Sequence, residues 1–442
     1  MTPVHQLTPT LFEAVATGEG GPEAIARLRA AQVSKHLLLI RFLLDRWADA
    51  PEGVRDLLER SRAADPQGFA SVAGAPLVGG WAAIAARAAM QDRAAPADFA
   101  HLAAIAVVAG AVTGVDGSAL IPVHDGLAVL PGWGAIEAGD APSIEVMTTG
   151  GRIVAVVGGA AFEVPSPREN SAAPPESVPF SPGPGPESGQ PGWLPVRRLV
   201  GDSAGRVIRL GLDDVHPYRH GHHVPPANRL ADDEVERWRG VFADSWALLA
   251  EHLPGRADEL AAGLTTLVPL VQTDPRSARS ATIRHAFGVF GLTRPGTPAD
   301  FATTLVHEFQ HSKLSAVLDL VPLTDPADTG RYFAPWRTDP RPLAGLLQGV
   351  YAFVGVADTW RALRGAVGVA EARFAEARLQ VDRGLTAVQE SGALTREGEL
   401  LATALRRTTD AMLAEAVPAP VAQAAEARLA QTRQTWRDRN QV

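Results

Sequence analysis

Two histidines and a glutamate within five residues carry the most specific chemistry in this sequence. Residues 303–321 read TTLVHEFQHSKLSAVLDLV, with His307, Glu308 and His311 in the order H-E-x-x-H. On a helix, residues four apart lie one above the other on one face. His307 and His311 can therefore present two imidazoles to one metal ion. Glu308 sits about 100° round the helix, where it reaches a metal-bound water more easily than the metal. One chemistry for such a pair is zinc hydrolysis, with Glu308 as general base. Another is that of a non-heme Fe(II) oxygenase, in which two imidazoles and one oxygen ligand leave positions open for a 2-oxo acid and O2. The plain alternative is a helix that carries two unrelated histidines.

The third ligand separates these readings. His311 is the last histidine of the chain, and Val317 stands where a third His of an extended motif would fall. No glutamate occurs between Glu308 and Glu371. The downstream oxygen donors are Asp325, Asp328, Asp339, Asp358 and the neutral Gln348. Asp319 lies too far along the helix axis, about 12 Å past His311. The segment TDPADTGRY has the look of zinc peptidases that take an Asp, which brings forward Asp325 and Asp328. Upstream, the loop YRHGHHVPP holds His220, His222 and His223. A 2-oxo acid also needs a cation for its far carboxylate, and a guanidinium binds one bidentately. Arg331, Arg337 and Arg341 follow the motif; each is otherwise a surface ion-pair partner.

The elements that must position these groups are legible in outline. Thr297 is the expected N-cap of the motif helix, Pro298 its first-turn residue, and Asp300 lies near the positive end of its dipole. Pro322 ends the run. Upstream, residues 8–47 read as two helices split by Gly20, Gly21 and Pro22, and Ala-rich helices continue to about residue 113. Short strands follow at 119–123, 126–130, 143–147 and 152–157, with a Gly150–Gly151 hairpin turn between the last two. Residues 165–193 are rich in Pro, Ser and Gly and read as a flexible insertion. Strand character resumes over 194–212. Helices are expected at 232–251 and about 257–267, a strand pair or one long strand over 278–292, and a helix over 343–364. Beyond that the chain reads as long helices. The regions are thus 1–115 (helical), 116–212 (β-rich), 213–364 (metal-site) and 365–442 (helical). The fold class is α+β, mostly helical, with the metal site on a helix.

Composition narrows the function. The chain has 442 residues, 46% hydrophobic and 20% charged, which suits a globular protein with a sizeable core. A net charge of -8 argues against nucleic acid as a partner. The apolar run 102–115 is short and Gly-rich for a bilayer span. No charged-then-apolar leader opens the sequence. A cytoplasmic protein without a membrane partner is the expectation. There is no cysteine, so any metal must be held by N and O ligands. Lysine occurs only at Lys35 and Lys313, the latter about 140° round the helix from the two histidines and so expected to be packed or solvated.

HEFQHSKLSAVLDLVPL, followed by YFAPWRTDPRPLAGLLQGVYAFVGV, resembles the HExxH-motif peptide-modification proteins, which accompany radical-SAM maturases in pathways for ribosomally made, modified peptides. LRAAQVSKHLLLIRFLLD, WLPVRRL and LDDVHPYR extend the resemblance over most of the chain. It implies an Fe(II)- and 2-oxoglutarate-dependent enzyme that β-hydroxylates a precursor peptide, on a fold distinct from the double-stranded β-helix of the usual oxygenases. It also implies that His307 and His311 bind the metal, that Gln348 and Tyr351 of the QGxYA segment lie near the site, and that His222 is structural or faces the substrate. Where relatives are expected to carry a further His, this chain has Phe353. The resulting expectation is an iron peptide hydroxylase, stand-alone but with a radical-SAM maturase as a candidate partner. Gln348, or an Asp of the following loop, completes its metal site. Arg337 or Arg341 holds the cosubstrate, and Glu308 orients water or a histidine. The alternatives are a zinc peptidase and an inactive peptide-binding partner of a maturase.

Overall fold

Residues 5–165, 192–220, 224–274 and 278–440 are described by the computed structural model. His222 and nearly all of the 165–193 insertion lie outside them. Helices hold 55% of the chain and strands 17%, so it is a mixed α+β protein, mostly helical.

The chain opens with α1 (Pro9–Ala16) and α2 (Gly21–Arg46), parted at the expected glycines. Next come α3 (Glu52–Ala64), α4 (Pro66–Ala73), α5 (Pro76–Met90) and α6 (Pro96–Thr113). Among the described residues α6 alone is a single straight helix long and apolar enough to cross a bilayer; α4 and α5 pass only as a pair bent by 67°. α6 is longer than the apolar run suggested, and its residues from His101 to Ala111 are all buried. Its apolar surface is spent on the core that it builds with α5 and a sheet.

That sheet comprises β1 (Gly117–His124), β2 (Leu127–Leu130), β3 (Gly134–Glu137), β4 (Ser143–Thr149), β5 (Arg152–Val157), β6 (Ala160–Val164) and β7 (Trp193–Pro195). It is antiparallel in the order β6-β5-β4-β1-β2-β3-β7. The expected hairpin is present: Thr149 pairs with Arg152 across Gly150 and Gly151. Strands β3 and β6 carry too few alternating residues to be read from the sequence.

The second sheet takes β8 (Arg197–Ser203) and β9 (Arg206–Leu212), then receives β10 (Thr266–Pro269), β11 (Ser280–Thr282) and β12 (Val289–Leu292) after α7 (Asp232–His252) and α8 (Pro254–Gly263). Its order is β11-β12-β10-β9-β8. The helix read to residue 267 is a correction. It stops at Gly263, and Thr266 to Pro269 pair in parallel with Val289 to Leu292. Here β-branched residues and a free parallel edge outweigh the helical pattern. Strands β10 and β12, buried on both faces, support the motif helix α9 (Pro298–Leu318). Helices α10 (Leu343–Ala362), α11 (Ala370–Glu390), α12 (Arg396–Ala414) and α13 (Ala419–Asn440) complete this half.

Packing crosses the regions read from composition. Strands β1–β7 pack with α3–α6 in one core, whereas β8 and β9 join α7–α12 in the other. Helix α2 belongs to both: Ile25 and Leu28 lie in the second core, Leu43 and Leu44 in the first.

Candidate functional site

Helix α9 begins as its sequence dictates. Thr297 Oγ1 accepts from Asp300 N at 3.1 Å and donates to its carboxylate at 2.7 Å, which fixes the first turn. The rear of the helix is tied down by polar groups. Gln310 Nε2 donates to Gly18 O at 2.8 Å. Lys313, fully buried, donates to Glu19 O at 2.7 Å and pairs with Glu259 at 2.9 Å. Burial lowers the Lys313 ammonium to about 8, with Glu259 opposing the shift. The front of the helix is left to a cavity of about 430 Å³.

His307, Glu308, His311 and Ser315 line that cavity from α9; Ser280, Ala281 and Thr282 from β11; and Arg284, Trp336, Arg337, Arg341, Gly345, Gln348, Gly349 and Phe353 from the surrounding loops and α10. The two imidazole centroids are 4.8 Å apart with the rings nearly perpendicular. Burial, then His311, lowers His307 to about 4, so its ring is neutral with a lone pair to give. His311 Nδ1 lies 3.1 Å from Gln348 Oε1, and Gln348 Nε2 donates to Ser315 Oγ at 3.3 Å. With the amide oxygen accepting, His311 carries its proton on Nδ1, and Nε2 is the free nitrogen. An imidazole that binds a metal through Nε2 has this tautomer.

Glu308 is buried, and both of its oxygens are engaged. Ser280 Oγ donates to Oε1 at 2.7 Å and Thr282 Oγ1 to Oε2 at 2.5 Å. Oε1 stands 3.7 Å from His307 Nε2. The carboxylate is therefore a fixed negative charge beside His307. Opposite, Phe353 meets His307 edge-on at 5.5 Å and stacks on Trp336 at 4.4 Å. Gly349 makes that stack feasible: a Cβ there would lie 2.2 Å from Trp336 Cζ2.

The other sequence candidates are dispersed. Arg337 and Arg341 reach the cavity but share Asp339, at 2.7 and 3.5 Å. Asp325 and Asp328 do not line it. Asp325 accepts from Ala327 N at 2.8 Å, and Asp328 accepts from Gly330 N at 3.2 Å and from the Tyr332 hydroxyl at 3.1 Å. Tyr351 is fully buried behind the site, donating to Val15 O at 2.8 Å, and burial raises its hydroxyl well above the usual range. Asp358 pairs with Arg256 and Arg361, and Asp319 with Lys35 and Arg284. Arg331 donates to neighbouring carbonyls. Sequence reasoning missed Ser280, Thr282, Arg284 and Trp336. A hydroxyl pair at alternate positions of a strand just before the motif was the only available signal for the first two.

The two imidazoles suit a metal ion in donor type, tautomer and access. The third position is another matter. Among the described residues no group of three or more His, Asp or Glu is placed to hold a metal. The donor set thus fits a centre with two protein nitrogens, its remaining positions filled from the cavity. Compared with known proteins, the chain matches no family model and no curated protein.

Proposed function

We propose that this chain is an Fe(II)- and 2-oxoglutarate-dependent hydroxylase of a ribosomally made peptide, with its metal held by the motif helix rather than by a β-barrel. The observation that carries the reading is the state of Glu308. Each Glu308 oxygen accepts from a hydroxyl of β11, which fixes the carboxylate in place and leaves one lone pair per oxygen. A peptidase base must move its proton from the metal-bound water to the leaving amine, so a carboxylate clamped at both oxygens supports a positioning role, and with it the oxygenase.

When bound, Fe(II) with 2-oxoglutarate and O2 supplies the oxidant that converts a C–H to C–OH, releasing succinate and CO2. His307 and His311 would hold the metal through Nε2. Gln348 keeps the His311 proton on Nδ1, and Glu308 supplies negative charge beside His307. A dicarboxylate needs cations, and Arg341 and Arg337 lie in the segment that leads into α10, whose first turn carries no acidic residue. The positive end of its dipole adds to their attraction for an anion. Arg341 is the more loosely held by Asp339 and lies over Gly345, 3.4 Å from where a Cβ would be, so it is the arm that turns to the cosubstrate. Trp336 and Phe353 keep that wall dry.

Phe353 against His307, with no third acidic or imidazole donor among the described residues, supports a second reading: a metal-free peptide-binding partner of a maturase, such as a radical-SAM enzyme. One experiment separates all three readings. The chain is incubated with Fe(II), 2-oxoglutarate, O2 and a random octapeptide pool, beside a zinc-loaded sample without 2-oxoglutarate. Succinate and a mass gain of one oxygen on peptides are expected with iron, and neither with His307→Ala or His311→Ala. Peptide cleavage supported by zinc alone would replace this reading with the peptidase; peptide binding without metal uptake would replace it with the partner.

A further inference from the structure

We infer that the outer edge of β11 is the docking site for an extended peptide, which pairs with it as an added strand and turns one side chain into the His307–His311 cavity. The inference rests on the peptide-modifying reading above and adds how the substrate is held.

Strand β11 ends its sheet, and no other described strand pairs with its outer side. Its register with β12 is Ser280 to Leu292, Ala281 to Gly291 and Thr282 to Phe290. Thr293 N donates to Arg279 O at 2.8 Å, so Arg279 and, two residues on, Ala281 direct their backbone groups at β12. Ser280 and Thr282 therefore direct their N–H and C=O groups outward. Ala278, Arg279 and Ser280 are exposed and Ala281 and Thr282 half-buried, so the edge meets solvent from its Ser280 end. An unpaired strand edge is recognised by another backbone, whatever its side chains.

The same residues line the cavity. The Ser280 and Thr282 side chains point to Glu308 and hence to the α9 face of the sheet. An added strand lies about 4.8 Å from β11, and residues directly opposite each other share a face. A peptide residue opposite Ser280 or Thr282 would thus turn its side chain towards His307 and His311, while its immediate neighbours turn away. One residue is presented at a time. A second copy of the chain is a poorer occupant. Three paired residues bury far less than the roughly 1,000 Å² of a stable interface. A peptide gains the cavity as well.

Backbone hydrogen exchange of the whole chain tests this, with a random octapeptide pool at millimolar concentration and no metal or cosubstrate. Ser280 and Thr282 amides should exchange at least tenfold more slowly with the pool, and unchanged with a pool of N-methylated octapeptides. Ser280→Pro deletes an outward N–H at an edge position where proline is tolerated, so it should abolish the effect at Thr282, whereas Ser280→Ala should keep it. Unchanged exchange at both amides, or equal protection by the N-methylated pool, would overturn the inference. So would a dimer in which these amides are already protected. The two proposals fail separately. Oxygen added to peptides with no edge protection removes only the docking mode. Edge protection with no oxygen added, with Fe(II) and 2-oxoglutarate present, removes only the hydroxylase.

Discussion

Replacing Gln348 by leucine tests whether this amide orients His311. The change keeps the approximate volume but removes the acceptor 3.1 Å from His311 Nδ1 and the donor 3.3 Å from Ser315 Oγ. In the folded state it costs two neutral hydrogen bonds, about 0.5–1.5 kcal/mol each. The loss at the metal is separate. Without the acceptor, His311 is free to place its proton on either nitrogen and to rotate, so part of the ensemble no longer offers Nε2. Removing such a partner typically lowers metal affinity about 10–100-fold, or ~1.4–2.7 kcal/mol. The assay is competition for Fe(II), or Co(II) as its air-stable stand-in, against a chromogenic chelator, beside a thermal melt of the apoprotein. Gln348→Glu restores an acceptor and should recover or exceed the original affinity. Metal affinity unchanged within twofold in Gln348→Leu, with the fold intact, would refute the orienting role.

Glu308→Gln should keep part of the succinate and oxygen-addition signals, falling about 10–100-fold through metal affinity; a loss beyond about 10⁴-fold at unchanged metal content would point to a general base instead. Gly349→Ala should destabilise the protein by ~1–3 kcal/mol in urea unfolding, because its Cβ must displace Trp336; an unchanged midpoint would show that the indole has room to move. Lys313→Met should cost ~1–3 kcal/mol, because Glu259 loses its nearer cation and keeps only Arg256, at 3.5 Å, and the Gly21 amide. The double change Lys313→Met with Glu259→Leu should recover much of that, and failure to recover would mean that the ammonium matters through Gly18 and Glu19 instead. Stability should also fall with acid. Burial lowers His36 to about 4, His216 to about 3 and His101 well below its usual value. These rings fold neutral. Above pH ~6.5 both states are neutral and nothing is lost; below it the unfolded chain takes up protons that the fold refuses, down to the folded values. The cost is about 1 kcal/mol per ring between pH 7 and 5.5, so about 3–4 kcal/mol for the three. Urea midpoints that do not move over this interval would contradict it.

What the sequence determined by itself is what local geometry controls. The four-residue spacing of His307 and His311 puts both rings on one face of any helix, and Thr297 with Asp300 sets where that helix starts. The split of α1 from α2, the hairpin at Gly150 and Gly151, and the strand character before the motif were legible for the same reason: turn residues and short-range periodicity act within a few residues. Local pattern misled at Thr266 and Leu267, where a helical reading lost to pairing with β12, a partner more than twenty residues away. Only the tertiary structure decided the surroundings of the two rings. Glu308 is held by Ser280 and Thr282 because β11 lies beside α9, and nothing in H-E-x-x-H encodes that neighbour. Asp325 and Asp328, brought forward by TDPADTGRY, and Asp358 behind them were candidates on spacing, but their own turns and arginines claim their carboxylates. Tyr351 and Gln348, three residues apart on α10, were grouped by sequence and part in the fold, one buried against Val15 and the other bonded to His311. Such contacts depend on which helix face meets which partner, and sequence spacing alone does not carry that.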